Sequence, residues 1–334
     1  MNDPRSDGVL EESVLVTGEA LDAQAHRLLL DAGLRVHFTG SSTGPGEIAA
    51  LASREQVGAI IVRSGTIDEA VLRASERMRV IANHGAGYDA IDVEAATRRR
   101  IPVFVAYGRN ARSVAELALA MIVSLHKRLI PFDRSVREGR WRGSIALPTE
   151  FSEKTLGIVG FGPTGRQLAR LARPFDVTIL VHDPFVPADT LPGDTGAVSD
   201  LAELMTLCDV ISLHVPLNRE TKAMVNREMI AKMKRGALLV NTSRGAVVDE
   251  AALLDALHDG HLGGAGLDTF AEEPLPGLGH PLSGVANLIL SPHVGGVTQE
   301  AVRRMSLSAA ENVLSILRHR SVNRGDLLNP DVLE

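Results

Sequence analysis

The sequence predicts an α/β protein with two parallel sheets, and three observations carry this prediction. Apolar strand-like runs alternate with helical patterns over the first hundred residues, and a second alternating series begins at Thr155. A glycine-rich turn then joins the first strand of the second series to a helix. Strands that alternate with helices of this length are typical of parallel βαβ units. The 334 residues are enough for two such domains.

The first series contains five apolar runs, which are SVLVTG, RVHFTG, GAIIVRS, RVIANHG and PVFVAY. The helical pattern LDAQAHRLLLDAG lies between the first two, and Gly33 is its expected C-cap. This part of the chain is predicted to form one small α/β domain. A long helical stretch follows from Arg112 to about Glu138, and we interpret it as a connector between domains. Pro131 is expected to kink or break that helix, because proline lacks the backbone donor.

The second series contains six runs, which are LGIVG, VTILVHD, DVISLHV, ALLVNT, GAGLD and NLILSP. Six parallel strands are the number in a full doubly wound dinucleotide-binding fold. The last helical run, from about Thr298 to His319, has no strand left to pair with there, so it is expected to pack on the first domain. The predicted domains are therefore a discontinuous substrate domain (1–107 and 298–334) and an inserted dinucleotide-binding domain (108–297). The substrate cleft is expected between them.

Composition narrows the classes of partner. The net charge is −6 and no basic tract is present, which argues against nucleic acid as the main ligand. Cys208 is the only cysteine, so no intrachain disulfide can form, as in proteins of a reducing compartment. The N-terminal MNDPRSDG is polar, and no apolar run is long enough to span a bilayer. These features predict a cytoplasmic protein with no membrane partner. The pair His258 and His261 has no third ligand in view, so no metal site is predicted.

The turn after the first strand of the second series has the pattern G-x-G-x-x-G. Gly160 permits the tight turn, Gly162 lets the backbone approach a pyrophosphate, and Gly165 lets helix and strand pack closely. Pro163 suits the first helical position, while Thr164 and Gly165 still donate backbone N–H groups to an anion. The alternative is a glycine-rich turn without a ligand.

An aspartate ends the second strand of this unit. Asp183 is expected to accept hydrogen bonds from the adenosine ribose hydroxyls, and its charge repels a 2′-phosphate. No arginine follows at once, so NAD is predicted rather than NADP. The alternative is that Asp183 is a simple turn residue before Pro184.

Three residues that suit acid–base and carboxylate chemistry stand at the ends of the last three strands. They are Arg244 in VNTSRGAVVDE, Glu273 in LDTFAEEPLP and His293 in SPHVGG. Ligands bind at the carboxyl ends of strands in open α/β sheets. An imidazole transfers the proton of a substrate oxygen, a carboxylate stabilises the charged imidazole, and a guanidinium grips a carboxylate. Each residue also has an ordinary structural role open to it, as a strand-end histidine, an ion-pair partner or a loop charge.

Taken in order along the chain, GIVGFGPTG, VNTSRGAVVDE, LDTFAEEPLP and SPHVGG resemble the successive motifs of the D-isomer-specific 2-hydroxy acid dehydrogenase family. The resemblance implies an NAD-binding Rossmann domain inserted into a flavodoxin-like α/β substrate domain. It implies that Arg244, Glu273 and His293 are catalytic and that Asp268 binds the nicotinamide carboxamide. Asp268 could instead be only a strand-end cap.

The resemblance also implies that the backbone N–H groups of Ala86 and Gly87, in HGAGYDAID, hold the substrate carboxylate. A homodimer formed largely through the interdomain helix is implied as well. The predicted cofactor-binding set is completed by Pro216, Thr221 and Thr242.

The implied reaction is hydride transfer between NAD and a small D-2-hydroxy acid or 2-oxo acid such as glyoxylate or hydroxypyruvate. Arg63 matches a phosphate-binding arginine of phosphoglycerate dehydrogenases in the family, which keeps D-3-phosphoglycerate open, although Gly65 and NHGAGYDA depart from those members. Phosphite oxidation is a further alternative. A different class is a dinucleotide-sensing co-repressor, which would bind NAD without turnover. The roles of His84, Arg109 and Arg112 stay open.

Overall fold

The structure is a computed structural model that describes residues 12–41, 44–141, 147–277 and 279–334; the polar N-terminal MNDPRSDG lies outside them. The strands, in chain order, are β1 (Ser13–Thr17), β2 (Arg35–Phe38), β3 (Ala59–Val62), β4 (Val80–Asn83), β5 (Val103–Val105), β6 (Thr155–Val159), β7 (Thr178–His182), β8 (Thr195–Ala197), β9 (Val210–Leu213), β10 (Ala237–Asn241), β11 (Leu262–Leu267) and β12 (Leu288–Leu290).

The helices are α1 (Ala23–Asp31), α2 (Pro45–Arg54), α3 (Glu69–Arg73), α4 (Val93–Arg98), α5 (Ala111–Lys127), α6 (Leu129–Arg137), α7 (Pro163–Ala172), α8 (Leu201–Leu207), α9 (Arg227–Lys232), α10 (Glu250–His258) and α11 (Gln299–Leu317). The chain divides into two compact units. The first comprises Met1–Asn110 with Val297–Glu334, and the second comprises Ala111–Gly296.

The first unit is built on a parallel sheet with the strand order β2-β1-β3-β4-β5. This is the flavodoxin-like order, in which the connections reverse direction beside β1. The strands β1, β3, β4 and β5 are buried along their whole length, as expected for a sheet covered on both faces. The helix α11 supplies apolar side chains such as Val313 and Leu314 to one of these covered faces, where they join Val14 and Phe104.

The second unit contains a seven-stranded parallel sheet with the order β12-β11-β10-β9-β6-β7-β8. The order reverses between β6 and β9, which is the arrangement of a doubly wound dinucleotide-binding sheet. The predicted fold class is thus confirmed. Six strands were predicted, and the seventh is β8, a three-residue edge strand that is only partly buried. Its sequence TGA has no apolar run, so the hydrophobic pattern could not reveal it.

The predicted break of the long helix occurs three residues before the proline. Arg128 has a left-handed backbone (φ 50°) and separates α5 from α6, whereas Pro131 lies in the first turn of α6. The N–H groups of a first turn have no acceptor within the helix, so proline costs little there. The stretch is broken as expected, and the break falls where an uninterrupted helix would have needed a Pro131 N–H to bond the Lys127 carbonyl.

No helix among the described residues is long and apolar enough to cross a membrane.

Candidate active site

The glycine-rich turn between β6 and α7 is shaped for close approach of a ligand. Gly160 has φ 91°, and a Cβ there would lie 2.7 Å from the carbonyl oxygen of His214. A Cβ on Gly165 would lie 2.2 Å from the carbonyl oxygen of Gly160, so helix and strand pack too closely for any side chain. A Cβ on Gly162 would meet nothing within 4 Å, which leaves its backbone open to an incoming group.

The helix α7 begins at Pro163 with Gly162 as its N-cap, and no side chain caps this end. The N–H groups of Thr164 and Gly165 stand in its first turn, where an α-helix has no internal acceptor for them. A helix N-terminus of this kind is suited to a pyrophosphate. The residues present therefore fit a dinucleotide.

Asp183 follows β7 and touches the glycine-rich turn directly. One carboxylate oxygen accepts a hydrogen bond from the Phe161 N–H at 2.7 Å, and the other accepts one from the Phe185 N–H at 2.9 Å. The side chain thus braces both the turn and its own loop. Each carboxylate oxygen can accept a second hydrogen bond, so capacity remains for ribose hydroxyls.

This brace makes Asp183→Asn a suitable test of cofactor choice, because an amide oxygen still accepts the Phe161 N–H while the negative charge is lost. We expect the preference for NADH over NADPH, measured as a ratio of kcat/KM values, to narrow by about tenfold, the effect of one charge near the surface. Asp176→Asn, at the opposite end of β7, is the matched control. A wild-type enzyme that prefers NADPH would contradict the role given to Asp183.

The loops after β9 and β10 contain three more residues predicted to bind the cofactor, which are Pro216, Thr221 and Thr242. Thr221 Oγ1 donates to the Pro216 carbonyl at 2.6 Å and accepts the Asn218 N–H at 2.9 Å, so this loop is braced internally. Thr242, directly after β10, is 8% exposed, and its hydroxyl has no hydrogen-bond partner in the described part of the chain. Buried hydroxyls are normally bonded, so Thr242 is a place where a ligand would supply the missing partner.

Asp268 follows β11 and organises the loop that carries His293. It is 2% exposed, and its carboxylate accepts hydrogen bonds from Ser291 Oγ (2.6 Å), the Val294 N–H (2.9 Å) and the Gly295 N–H (2.7 Å). Its carbonyl accepts the His293 N–H at 2.8 Å. The sequence offered no signal for this bracing role, since the donors stand 23 to 27 positions further along the chain.

His293 and Glu273 form a hydrogen-bonded pair. His293 Nδ1 lies 2.7 Å from Glu273 Oε2, and Glu273 Oε1 accepts the Phe270 N–H at 2.9 Å. The imidazole is 47% exposed, so Nε2 is left on the accessible side of a ring held by the carboxylate. His293 has φ 54°, a conformation that costs energy for a residue with a side chain and that occurs often at functional sites.

A cleft of about 510 Å³ opens at this pair. Apart from Glu273, Ser291 and His293, its lining is apolar, comprising Phe270, Pro274, Leu275, Leu290 and Pro292. Apolar walls with a few convergent polar groups are typical of small-molecule sites.

Arg244 stands two residues beyond Thr242, at the carboxyl edge of the sheet. Its carbonyl accepts Asn241 Nδ2 at 2.9 Å, and one guanidinium nitrogen donates to the Ser243 carbonyl at 2.8 Å. Asn241 is fully buried and also accepts the Ser243 N–H at 3.0 Å, so it sets the course of the loop. Asn241 was not predicted from the sequence, although an asparagine at the end of a strand is a recognisable turn signal.

The predicted substrate-binding residues of the first unit lie after β3 and β4. Ala86 and Gly87 belong to a loop that Asn83 shapes by donating from Nδ2 to the carbonyls of Gly85 (3.1 Å) and Gly87 (2.6 Å). Arg63 is exposed, and its guanidinium donates to the Ala20 carbonyl. Asn83 is a second residue whose role was not predicted from the sequence.

Three residues had open roles, and the structure gives each a partner. His84 Nε2 lies 2.8 Å from Ser306 Oγ. Burial lowers the pKa of His84 to about 4, and the positive charge of Arg63 adds to this, so the ring is neutral at neutral pH. Arg109 contacts Ser308 and Asp326, and Arg112 pairs with Glu116 four residues on.

The dinucleotide turn, the doubly wound sheet and the histidine–carboxylate pair at its carboxyl edge define an NAD-linked oxidoreductase. Comparison with known sequences supports this class: residues 119–295 match the family profile described as D-isomer specific 2-hydroxyacid dehydrogenase, NAD binding domain. The chain belongs to this family, and its cofactor is NAD.

Individual relatives are consistent with this family assignment. The chain is 42% identical to an (S)-sulfolactate dehydrogenase of Chromohalobacter salexigens, over 81% of this chain and 88% of the relative. It is 39% identical to a glyoxylate reductase of Korarchaeum cryptofilum, over 75% and 77%. D-3-phosphoglycerate dehydrogenases also match, but over only about half of their length, 53% for that of Synechocystis. Among solved structures, the TT0316 protein of Thermus thermophilus superposes with a TM-score of 0.86 at 35% identity, over 95% of this chain and 99% of that one.

Proposed function

We propose that the protein interconverts a small D-2-hydroxy acid and the corresponding 2-oxo acid, with His293 as general acid and base. The observation that supports this most directly is the 2.7 Å contact between His293 and Glu273 at the carboxyl edge of the sheet that carries the dinucleotide turn. NAD, when bound, supplies or accepts the hydride at C2 of the substrate.

Each residue then has a distinct task. In the reductive direction negative charge develops on the substrate carbonyl oxygen, and protonated His293 delivers its Nε2 proton there. Glu273 orients the ring through Nδ1 and stabilises its positive charge. Arg244 holds the substrate between carboxylate and carbonyl, which contributes to both binding and charge stabilisation. Ala86 and Gly87 bind the substrate carboxylate through backbone N–H groups.

Asp268 keeps the His293 loop in place and presents its remaining lone pairs to the nicotinamide carboxamide. We also assign the first unit to substrate binding and the second to NAD, with domain limits of 1–107 and 298–334 against 108–297. A dinucleotide-sensing protein without turnover would bind NADH but reduce none of the acids named below.

The substrate class is a short 2-oxo acid, for which glyoxylate and hydroxypyruvate are the first choices. A second candidate is a three-carbon acid with an anionic group on C3, either a sulfonate or a phosphate ester. The exposed cation at Arg63 and the similarity to a sulfolactate dehydrogenase favour this second candidate.

A panel of substrates tests both candidate substrate classes. NADH oxidation is measured with glyoxylate, hydroxypyruvate, pyruvate, phenylpyruvate, 3-sulfopyruvate and 3-phosphohydroxypyruvate, and we expect a short 2-oxo acid to give the highest kcat/KM. If Arg63 binds a C3 anion, Arg63→Ala should lower kcat/KM for the two anionic substrates by about tenfold or more, the value of one charged hydrogen bond, and leave glyoxylate unaffected. Arg77→Ala, at an exposed position of the same unit, is the control. Equal loss on every substrate would mean that Arg63 is structural.

We further propose a cytoplasmic homodimer. The helix α6 exposes Leu129, Ile130 and Val136, which are 59%, 43% and 56% accessible, and a partner face would cover them. The buried Cys208 as the sole cysteine suits a reducing compartment. We expect about twice the chain mass in sedimentation equilibrium, and a monomer at micromolar concentration would contradict the dimer.

A further inference from the structure

A second cavity, of about 350 Å³, lies in the first unit beside the C-terminal part of α11. All of its lining residues except Val322 are polar or charged. Two guanidinium groups (Arg109 and Arg320) and two carboxylates (Glu311 and Asp326) line it, so its formal charge is balanced. None of these residues belongs to the proposed reaction.

The buried carboxylate of this cavity is bonded on one side only. The Asp326 side chain is 5% exposed, and its Oδ2 accepts from Asn323 Nδ2 (3.0 Å), Ser308 Oγ (3.2 Å) and the Arg109 guanidinium (3.4 Å). No donor reaches Oδ1 from the described residues. A buried carboxylate normally uses both oxygens, so Oδ1 offers a free acceptor.

Three more side chains of the lining lack partners in the part of the chain that the structure describes. Arg320 and Glu311 are exposed and have no ion pair or hydrogen bond there, although their charges are opposite. Asn312 is only 4% exposed, and its Nδ2 has no hydrogen-bond partner. Buried amide groups without a partner are rare in folded proteins, and this one belongs to a residue of the cavity lining.

We propose that this cavity binds a small zwitterion with a carboxylate and an ammonium group, as in a free α-amino acid. The carboxylate pairs with Arg320 and Arg109, and the ammonium group pairs with Glu311 and Asp326 Oδ1. A plain anion would face two carboxylates, and a plain cation two guanidinium groups, so a molecule with both charges matches the lining better than either. Such a ligand would contact α11 and Arg109. Arg109 is the second-to-last residue of the segment Met1–Asn110 of the first unit.

A matched set of three probes tests the charge requirement. L-Alanine, isobutyrate and isopropylamine have the same branched skeleton and carry both charges, the negative charge alone and the positive charge alone. Binding to the full chain is followed by chemical-shift changes or thermal shift at millimolar concentration, together with a panel of larger α-amino acids. We expect saturable binding of one or more amino acids and at least tenfold weaker binding of the two singly charged probes.

The variants Arg320→Gln and Glu311→Gln each remove one exposed charge without touching the core. Each should raise the Kd of the bound amino acid on the order of tenfold, the contribution of one charged hydrogen bond, and leave the Kd of NADH unchanged. Arg324→Gln, an exposed neighbour outside the lining, should have no effect. Isobutyrate binding as tightly as alanine, no binding by any amino acid, or insensitivity to both variants would each overturn the proposal.

Discussion

His293→Ala is expected to lower kcat for reduction of the best 2-oxo acid by about two to four orders of magnitude, the usual contribution of positioned acid–base catalysis. Nε2 is the nitrogen that faces the accessible side, since Nδ1 is held by Glu273 at 2.7 Å. Without the ring the developing alkoxide takes its proton from water. The KM should change little, because the proton is transferred mainly in the transition state.

The control for this experiment is His258→Ala, at the exposed end of α10. It should retain full activity, and both variants should bind NADH as the wild type does. Because Glu273 holds the imidazole through Nδ1, Glu273→Gln should lower kcat by about tenfold, the value of one charged hydrogen bond, and leave the Kd of NADH unchanged. A fully active His293→Ala would refute the mechanism, and a fully active Glu273→Gln would refute the pair.

The parts of the fold that could be predicted are those that local chemistry determines. Gly160 and Gly165 are required by backbone approaches of 2.7 and 2.2 Å, so the turn could be recognised from its glycines together with the apolar strand before them and the helix after them. The buried strands appear as apolar runs because both faces of a parallel sheet are covered. β8 escaped prediction because three small or polar residues at a sheet edge leave no such pattern.

The helix break shows that a local rule can act a few residues away. Proline was expected to kink or break the long helix, because an uninterrupted helix would need its missing N–H to bond the carbonyl of Lys127. The break falls at Arg128, so Pro131 lies in the first turn of α6, where its N–H needs no acceptor within the helix. The left-handed conformation of Arg128 itself leaves no signal in the sequence.

The residues of the candidate site could be proposed from the sequence, but the hydrogen-bond network that joins them could not. Resemblance to a family pointed to Glu273 and His293, which are 20 positions apart, while their hydrogen bond depends on how two loops are folded. Three donors from the loop after β12 converge on Asp268. Such a convergence follows from tertiary structure alone, so the spacing of the residues along the chain carries no trace of it.

Arg244→Ala should affect binding and catalysis together, raising KM and lowering kcat so that kcat/KM falls by about two to four orders of magnitude. This corresponds to the loss of two charged hydrogen bonds, one to the substrate carboxylate and one to its carbonyl oxygen. The backbone of the loop should keep its course, because Asn241 donates to the backbone carbonyl of Arg244, which the substitution leaves in place. Arg244→Lys keeps the charge but loses the planar fork, so it should recover only part of kcat/KM.

The control is Arg235→Ala, at an exposed position just before β10, at the end of the strand opposite to Arg244. Steady-state kinetics separate the two parameters. A KM effect with unchanged kcat would restrict Arg244 to binding, whereas full activity would remove it from the site.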